Sequence, residues 1–257
     1  MDFTLYAIID EDFLAGAVCD SDVRPDDEGL VSDFDGGLAS ARDRAHAPAY
    51  GRLSDPETRI PIPRLIDVCV ELVRSGATVI QYRAKSLARE LFLDRAQSIA
   101  AIIRVRAVPL IINDRVDVAA ACDAAGVHLG REDVSIAEAR RILGPGRTVG
   151  RTVRTAAEAV KAERDGADYL GAGSIFPSPT KSGIPVIGLE GLKAIRSSVK
   201  IPIVAIGGLT LANLPDVVAA GADGLAFVSE LFRGASVAAR AQELRAAIDG
   251  ARRRAER

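Results

Sequence analysis

Short apolar runs alternate with amphipathic segments along most of this chain, and the alternation predicts its architecture. Eight runs have the length of buried strands, at residues 4–9, 78–82, 110–112, 126–129, 148–150, 169–172, 203–206 and 224–227. The segments between them, such as residues 90–103 and 155–164, repeat their apolar positions at helical spacing. Strands that alternate with helices form parallel sheets. Eight such units predict an α/β fold, a closed (β/α)8 TIM barrel, with a doubly wound open sheet as the second candidate.

Residues 10–61, between the first strand and its helix, interrupt this pattern. The segment is rich in Asp, Arg, Gly and Pro, shows little periodicity, and is longer than an ordinary loop between a strand and a helix. We expect one barrel domain over residues 1–257 that carries a polar, mobile insertion. Because loops that follow barrel strands line the catalytic face, a lid over the site is the alternative interpretation.

Composition narrows the class of protein. The 257 residues are 48% hydrophobic with a net charge of -2, so no global field draws the chain to nucleic acid or a membrane. No apolar run approaches the roughly 20 residues of a membrane helix, and we expect no signal peptide, because Asp2 follows Met1 without an apolar segment after it. Three cysteines without metal-like spacing fit a reducing compartment, so we expect a cytoplasmic protein. The sequence leaves the oligomeric state open, and a homo-oligomer is one option.

Polar side chains follow the second predicted strand at alternate positions. Gln81, Arg83 and Lys85 lie in the segment Gln-Tyr-Arg-Ala-Lys, and side chains of an extended chain share a face every two residues. Arginine offers a bidentate fork to an anion, and lysine offers a point charge. The three side chains therefore predict an anion clamp at one end of the barrel.

Two carboxylates follow the next two strands. Asp114, preceded by Asn113, ends the third predicted strand, and Asp133 follows the fourth. The carboxyl ends of parallel strands meet at one end of a barrel. Mg2+ is usually held by one or two carboxylates together with substrate phosphates. Asp114 and Asp133 thus predict a magnesium site beside the anion clamp.

A second phosphate site is predicted at the last strands. Gly207 and Gly208 follow the seventh strand and Ser229 follows the eighth, where barrels of this class bind phosphate. A Gly/Ser/Pro loop after the sixth strand ends in Lys181, which can close over a phosphate, and Thr152 supplies a hydroxyl after the fifth. Two phosphate sites imply two phosphorylated substrates, or one substrate with phosphates at both ends.

These motifs, in this order, resemble the thiamine phosphate synthase family. The resemblance runs from about residue 64 to residue 231 and is most specific in Gln-Tyr-Arg-Ala-Lys, Ile-Asn-Asp, Gly-Val-His-Leu-Gly-Arg-Glu-Asp, Pro-Ser-Pro-Thr-Lys and Ile-Gly-Gly. It implies a Mg2+-dependent transferase of a pyrimidinylmethyl group, which joins a hydroxymethylpyrimidine diphosphate to a thiazole phosphate by a dissociative reaction. It implies that Asp114 and Asp133 bind the metal, and that Arg83, Lys85 and Lys181 neutralise the leaving diphosphate.

The resemblance also assigns the remaining contacts to the two substrates. Gln81, Asn113 and Thr152 would join the three cations at the pyrimidine diphosphate. The thiazole phosphate would be bound by a second set of residues, Ser178, Thr180, Gly208, Val228 and Ser229. The chain departs from the family where Gly150-Arg151-Thr152 replaces Gly-Val-Ser, which places the charge of Arg151 near the expected pyrimidine pocket. A thiazole tautomerase and a non-catalytic barrel that senses a thiazole or thiamine phosphate are the alternative functions.

Overall fold

The computed structural model describes residues 1–14, 60–178, 183–234 and 236–255. Its eight strands form one closed parallel barrel in chain order. They are β1 (Leu5–Asp10), β2 (Val79–Arg83), β3 (Leu110–Asn113), β4 (Gly126–Leu129), β5 (Thr148–Val153), β6 (Tyr169–Ala172), β7 (Ile203–Ile206) and β8 (Gly224–Phe227). The barrel closes where Leu5 of β1 pairs with Leu225 of β8. The predicted barrel is confirmed and the open sheet was wrong.

Residues 11–14, directly after β1, are helical, and eight α-helices with described bounds surround the barrel. They are α1 (Ile62–Arg74), α2 (Arg89–Arg104), α3 (Val116–Ala121), α4 (Ile136–Leu143), α5 (Ala156–Arg164), α6 (Gly188–Ser198), α7 (Leu214–Ala219) and α8 (Val237–Ala255), with a 3-10 helix at Ser229–Phe232 after β8. Gly76, Gly166 and Gly221, which follow α1, α5 and α7, have φ of 99°, 93° and 97°. Each adopts the left-handed conformation that favours glycine where a helix ends.

Strand β5 is longer than its apolar run. Hydrophobicity predicts an end at Gly150, yet pairing with β6 continues through Thr152 and Val153. The ladder depends on backbone groups, so polar side chains do not interrupt it. Thr152 therefore lies on a strand of the barrel rather than in a loop.

The barrel interior contains a second, smaller core inside the main layer between strands and helices. Its buried members come from alternate positions of six strands and from the segment before β1: Phe3, Tyr6, Ile8, Val79, Ile111, Tyr169, Val204 and Ala226. Gly150 makes room for Tyr169, one of the two tyrosines of this core, because a Cβ there would lie 2.2 Å from its ring. The floor of the barrel is thus a packed layer on which the polar strand ends stand.

The predicted insertion at residues 10–61 lies outside the described residues, apart from its two ends. In the described part of the chain, no helix is long and apolar enough to cross a bilayer. Cys69 and Cys122 are buried free thiols, and Cys69 belongs to α1 as its apolar context predicts.

Candidate functional site

The end of β2 brings the predicted anion clamp to the mouth of the barrel. Arg83 pairs with Asp10 of β1 in the strand register, and their side chains form an ion pair. Lys85 lies just past the strand with 59% of its side chain exposed, and its Nζ is 3.1 Å from Asp114 Oδ2. Gln81 sits deeper, 3% exposed, and donates from Nε2 to the Tyr6 hydroxyl at 2.7 Å. The two cations reach solvent, whereas the amide belongs to the barrel interior.

An acidic segment at the end of β1 positions this clamp, and sequence reasoning missed it. Asp10 holds the Arg83 guanidinium, and Asp12 accepts from the Lys85 backbone N–H at 2.7 Å. Between them Glu11 is fully buried, with Oε1 3.0 Å from Arg95 Nη1 and 2.7 Å from the Tyr82 hydroxyl. The signal was available, because parallel pairing of β1 with β2 sets a carboxylate beside Arg83. The sequence pattern instead assigns Asp10 to the start of the insertion.

Asp114 is presented by a tight turn at the end of β3. Its φ is 63°, and the Arg115 N–H donates to the Asn113 carbonyl at 2.7 Å across it, which defines a γ-turn. The Asp114 N–H donates to the His128 carbonyl at 2.9 Å and ties the turn to β4. A non-glycine residue in this region is uncommon, and aspartate tolerates it better than most residues. The turn points the carboxylate toward the loop after β4.

Asp133 meets Asp114 above Gly130. A Cβ added to Gly130 would lie 3.0 Å from Asp133 Oδ2 and 3.8 Å from Asp114 Oδ1, so both carboxylates converge on this glycine. The Gly130 N–H donates to Asp133 Oδ2 at 2.6 Å. Burial, reinforced by a hydrogen bond with Asp114 and by its negative charge, raises the pKa of Asp133. Two carboxylates held this close repel each other unless a proton or a cation lies between them.

The donor set fits a cation that takes its other ligands from substrate and water. In the described part of the chain, no group of three or more His, Cys, Asp or Glu side chains could hold a metal ion. Asp114 and Asp133 would therefore supply two oxygens, the small number typical of Mg2+ sites that also use phosphates. A cavity of about 140 Å³ opens beside them, lined by Ala84, Lys85, Phe92, Asn113, Asp114 and Arg115. Asn113, 8% exposed, faces this space.

The opposite side of the mouth is built from glycine and backbone. Gly207 and Gly208 have φ of 96° and 66°. A Cβ on Gly208 would lie 2.5 Å from the Pro177 carbonyl oxygen, so the loop after β6 packs directly on the turn after β7. Asn213 Nδ2 donates to the Gly208 carbonyl at 3.0 Å and fixes the turn from α7. Only glycine allows both this backbone conformation and this contact.

Only some of the remaining predicted phosphate binders lie within the described residues. Ser178 follows Pro177 and is half-buried. Val228 and Ser229 begin the 3-10 helix after β8, so they lie next to β7 and its glycine turn in barrel order. Thr180 and Lys181 lie outside the described residues. The structure thus brings Ser178, Gly208, Val228 and Ser229 to neighbouring strand ends.

His128 of β4 and Thr152 of β5 lie inside the barrel, below the mouth and between these two sides. The half-buried Thr152 hydroxyl is 2.9 Å from His128 Nε2, and His128 Nδ1 is 2.9 Å from the Tyr169 hydroxyl. Both imidazole nitrogens have protein partners, as expected for a satisfied core histidine. The Thr152 hydroxyl, which we predicted to contact a substrate, therefore belongs to the barrel interior, as Gln81 does.

Arg151 does not lie near the expected pyrimidine pocket, and that prediction was wrong. Its neighbours in the ladder, Leu129 and Leu170, belong to the outer core, so Arg151 points away from the barrel axis. Its guanidinium donates to the carbonyls of Val134 and Arg131 at 3.0 and 2.9 Å. Side chains alternate between the two faces of a strand, so Thr152 faces inward and Arg151 outward. Arg151 braces the loop that carries Asp133.

Fold and site together define a (β/α)8 barrel whose mouth has a charged side at β1–β4 and a glycine side at β6–β8. The model of the thiamine monophosphate synthase family matches residues 56–231. The chain belongs to this family.

Similar proteins agree with this assignment. A thiamine-phosphate synthase of Chloroflexus aurantiacus is 49% identical over 174 residues, which cover 67% of this chain and 80% of the relative. One from Moorella thermoacetica is 47% identical over 189 residues, or 71% of this chain and 90% of the relative. The solved structure of thiamine phosphate pyrophosphorylase from Pyrococcus furiosus superimposes with a TM-score of 0.70 at 32% identity, covering 97% of each chain.

Proposed function

We propose that this protein is a thiamine phosphate synthase. It joins 4-amino-5-hydroxymethyl-2-methylpyrimidine diphosphate to a thiazole phosphate and releases diphosphate. The observation that carries the proposal is the meeting of Lys85, Asp114 and Asp133 beside Arg83, across the mouth from the Gly208 turn. One side offers charge for a diphosphate, and the other offers backbone for a monophosphate.

Asp114 and Asp133 would hold Mg2+. A bound Mg2+ supplies charge neutralisation of the diphosphate oxygens. The Lys85 side chain is 59% exposed, and its ammonium pairs with Asp114 in the described structure. When the diphosphate binds, the same ammonium can turn to a phosphate oxygen. Asp10 keeps the Arg83 guanidinium at the mouth, so the fork is oriented before substrate binds.

The chain's residues suit a dissociative alkyl transfer. The carbon–oxygen bond of the pyrimidinylmethyl diphosphate breaks, and its electron pair leaves with the diphosphate, whose charge is neutralised by Arg83, Lys85 and Lys181. The lone pair of the thiazole nitrogen then forms the new carbon–nitrogen bond. Gln81, Asn113 and Thr152 orient the pyrimidine. Ser178, Thr180, Gly208, Val228 and Ser229 hold the thiazole phosphate. This reaction needs neither a protein nucleophile nor a strong base.

The free thiols support a reducing, cytoplasmic setting, and the net charge supports small-molecule partners. Cys69 and Cys122 are buried as thiols in the described structure. The substrates proposed are charged small molecules, and the net charge of -2 offers no general attraction for nucleic acid or anionic membranes.

The tautomerase and sensor alternatives have no support from the similar proteins, whose names are those of synthases.

Direct product analysis tests the proposal. Purified protein with both substrates and Mg2+ is expected to form thiamine phosphate and diphosphate, and excess EDTA should stop the reaction. Arg83→Gln should lower kcat/KM by roughly 100-fold, because a charge-assisted bidentate contact is lost. Arg89→Gln is the matched control, since Arg89 forms an exposed ion pair with Asp117 on neighbouring helices. Absence of thiamine phosphate from the complete reaction would refute the function.

A further inference from the structure

Five side chains form one continuous hydrogen-bonded chain under the mouth of the barrel. Gln81 Nε2 is 2.7 Å from the Tyr6 hydroxyl, which is 2.8 Å from the Tyr169 hydroxyl. The Tyr169 hydroxyl is 2.9 Å from His128 Nδ1, and His128 Nε2 is 2.9 Å from the Thr152 hydroxyl. We call these five residues the relay. Its two ends, Gln81 and Thr152, are residues proposed above to touch the pyrimidine.

With a neutral imidazole, and with each buried hydroxyl donating its proton inside the relay, only two polarities are possible. Each hydroxyl has one proton to donate, and a neutral imidazole donates from one nitrogen and accepts at the other. If the Gln81 amide donates to Tyr6, every later bond must run the same way, toward Thr152. If the amide is turned so that its oxygen accepts from Tyr6, every later bond must run toward Gln81. The groups that the two ends present to a ligand are therefore coupled.

Gln81 faces the Tyr6 hydroxyl with Nε2 rather than with its oxygen, which corresponds to the first polarity. Gln81 donates to Tyr6, so Tyr6 donates to Tyr169, and Tyr169 donates to His128 Nδ1. His128 is then a neutral imidazole with its proton on Nε2, which it donates to Thr152. Burial raises the pKa of both phenols well above the ordinary tyrosine value, so each keeps the proton that this direction requires.

Each end of the relay is left with one defined group for a ligand. Gln81 turns its amide nitrogen toward Tyr6, so its carbonyl oxygen, an acceptor, is the amide atom without a hydrogen-bond partner among the described residues. Thr152 accepts from His128, so its own proton is free to donate, and no other bond of this hydroxyl occurs within the described residues. A 4-aminopyrimidine has the complementary pair, an amino donor and ring-nitrogen acceptors. A 4-oxopyrimidine reverses the pair, with a carbonyl acceptor and a ring N–H donor.

We infer that the relay sets substrate specificity by holding Gln81 as acceptor and Thr152 as donor, so that the site distinguishes an aminopyrimidine from its oxo analogue. Tyr6, Tyr169 and His128 are positioning residues in this scheme, since they act through the two ends. The inference rests on the proposed function for the identity of the ligand. The direction of the relay itself is a property of the free protein.

Nitrogen-15 NMR of the imidazoles tests the direction without any ligand. The chain has two histidines, His46 and His128, so His46→Gln leaves one imidazole to observe at neutral pH. We expect the tautomer protonated at Nε2. A proton on Nδ1, or an even mixture of tautomers, would overturn the relay.

Calorimetric binding of paired ligands tests the specificity. With Mg2+ present, the wild-type protein should bind the 4-aminopyrimidine diphosphate at least about 10-fold more tightly than the 4-oxo analogue, because the analogue mismatches both ends. Tyr169→Phe cuts the relay at its centre and should reduce this preference to below about 3-fold. Inorganic diphosphate, which has no ring, should bind both proteins equally.

Tyr82→Phe is the matched control. Tyr82 is a buried tyrosine next to Gln81 in sequence, but its hydroxyl bonds Glu11 outside the relay. It loses the same atom from a buried ring and should keep the wild-type preference. Equal loss of preference in both variants would overturn the specificity role. If wild type binds neither pyrimidine diphosphate, the proposed function fails, and with it the specificity role, while the tautomer measurement still judges the relay.

Discussion

The two sides of the barrel mouth are built by different chemistry. At β1–β4, ion pairs and converging carboxylates dominate, with Lys85 on Asp114 and Arg83 on Asp10. At β6–β8, the described site consists mainly of glycine turns and loop backbone, with Gly208 packed under Pro177, and adds the uncharged side chains of Ser178, Val228 and Ser229. The first side depends on charge and the second on close backbone approach. Removal of a charge should therefore impair the side at β1–β4. A single methyl group added to a glycine should impair the side at β6–β8.

Under the proposed function, this division matches what each ligand requires. A leaving diphosphate gains charge as its bond breaks, so charges that act most strongly at that moment accelerate the reaction. A phosphate that serves only as a handle needs binding without change during the reaction, and backbone N–H groups supply that. Under the proposed function, the mouth therefore has a chemical side at β1–β4 and an anchoring side at β6–β8.

The largest expected effect is on the charged side. Asp114→Asn removes one carboxylate and, since asparagine also tolerates φ of 63°, keeps the turn. Turnover should fall by about 1,000-fold through loss of metal-assisted charge stabilisation, while the Kd for thiazole phosphate stays within about 2-fold. Asp123→Asn is a matched control, because Asp123 has φ of 56° and pairs with Arg104 on the surface. Comparable losses of turnover and thiazole phosphate affinity would end the division into two sides.

A smaller effect is expected on the glycine side. Gly208→Ala places a methyl group 2.5 Å from the Pro177 oxygen at φ of 66° and should move the turn. We expect thiazole phosphate to bind roughly 10- to 100-fold more weakly, the effect of losing one or two bonds to a charged group. Pyrimidine diphosphate affinity should not change. Gly144→Ala controls for backbone strain, since Gly144 has φ of 75° but no atom within 4 Å of the added Cβ. An unaltered Kd for thiazole phosphate would remove Gly208 from that site.

The smallest effect is expected at the floor that both sides share. Gly150→Ala sets a Cβ 2.2 Å from the Tyr169 ring and should lower the free energy of unfolding by about 1–3 kcal/mol through overpacking. Gly250→Ala, in the interior of α8 with its nearest neighbour at 3.6 Å, should raise it by about 0.5–1 kcal/mol. Urea unfolding of the two variants measures both changes in the free energy of unfolding. A stable Gly150→Ala protein would mean that Tyr169 can shift freely.

Most of the fold was predictable because its signals are local. The eight apolar runs matched the strands within a few residues, and the helical periodicity of residues 90–103 and 155–164 matched α2 and α5. The end of β5 was missed, because Arg151 and Thr152 continue a backbone ladder that side-chain hydrophobicity does not report. The insertion at residues 10–61 stays a prediction, and so do the magnesium ion and the oligomeric state.

The site was predictable as a set of strand ends but not as a set of contacts. The sequence placed Gln81, Arg83, Asp114 and Asp133 at one end of the barrel, where they lie. It missed Asp10 as the partner of Arg83, and it assigned Arg151 to the wrong face of β5. Gln81 and Thr152 entered as separate ligand contacts, and their connection through Tyr6, Tyr169 and His128 was not foreseen.

The sequence by itself determined the repeating strand–helix units, the chemistry at each strand end and the family, because these depend on residue type and short spacing. Only the tertiary structure decided which groups meet. Asp10 and Arg83 are 73 residues apart, and Gln81 and Tyr6 are 75 apart. Such pairs are set by strand register and barrel closure, which turn alternate residues of different strands toward one axis. The hydrogen bonds of the relay, and the substrate specificity that we infer from their direction, therefore form only when the barrel has closed.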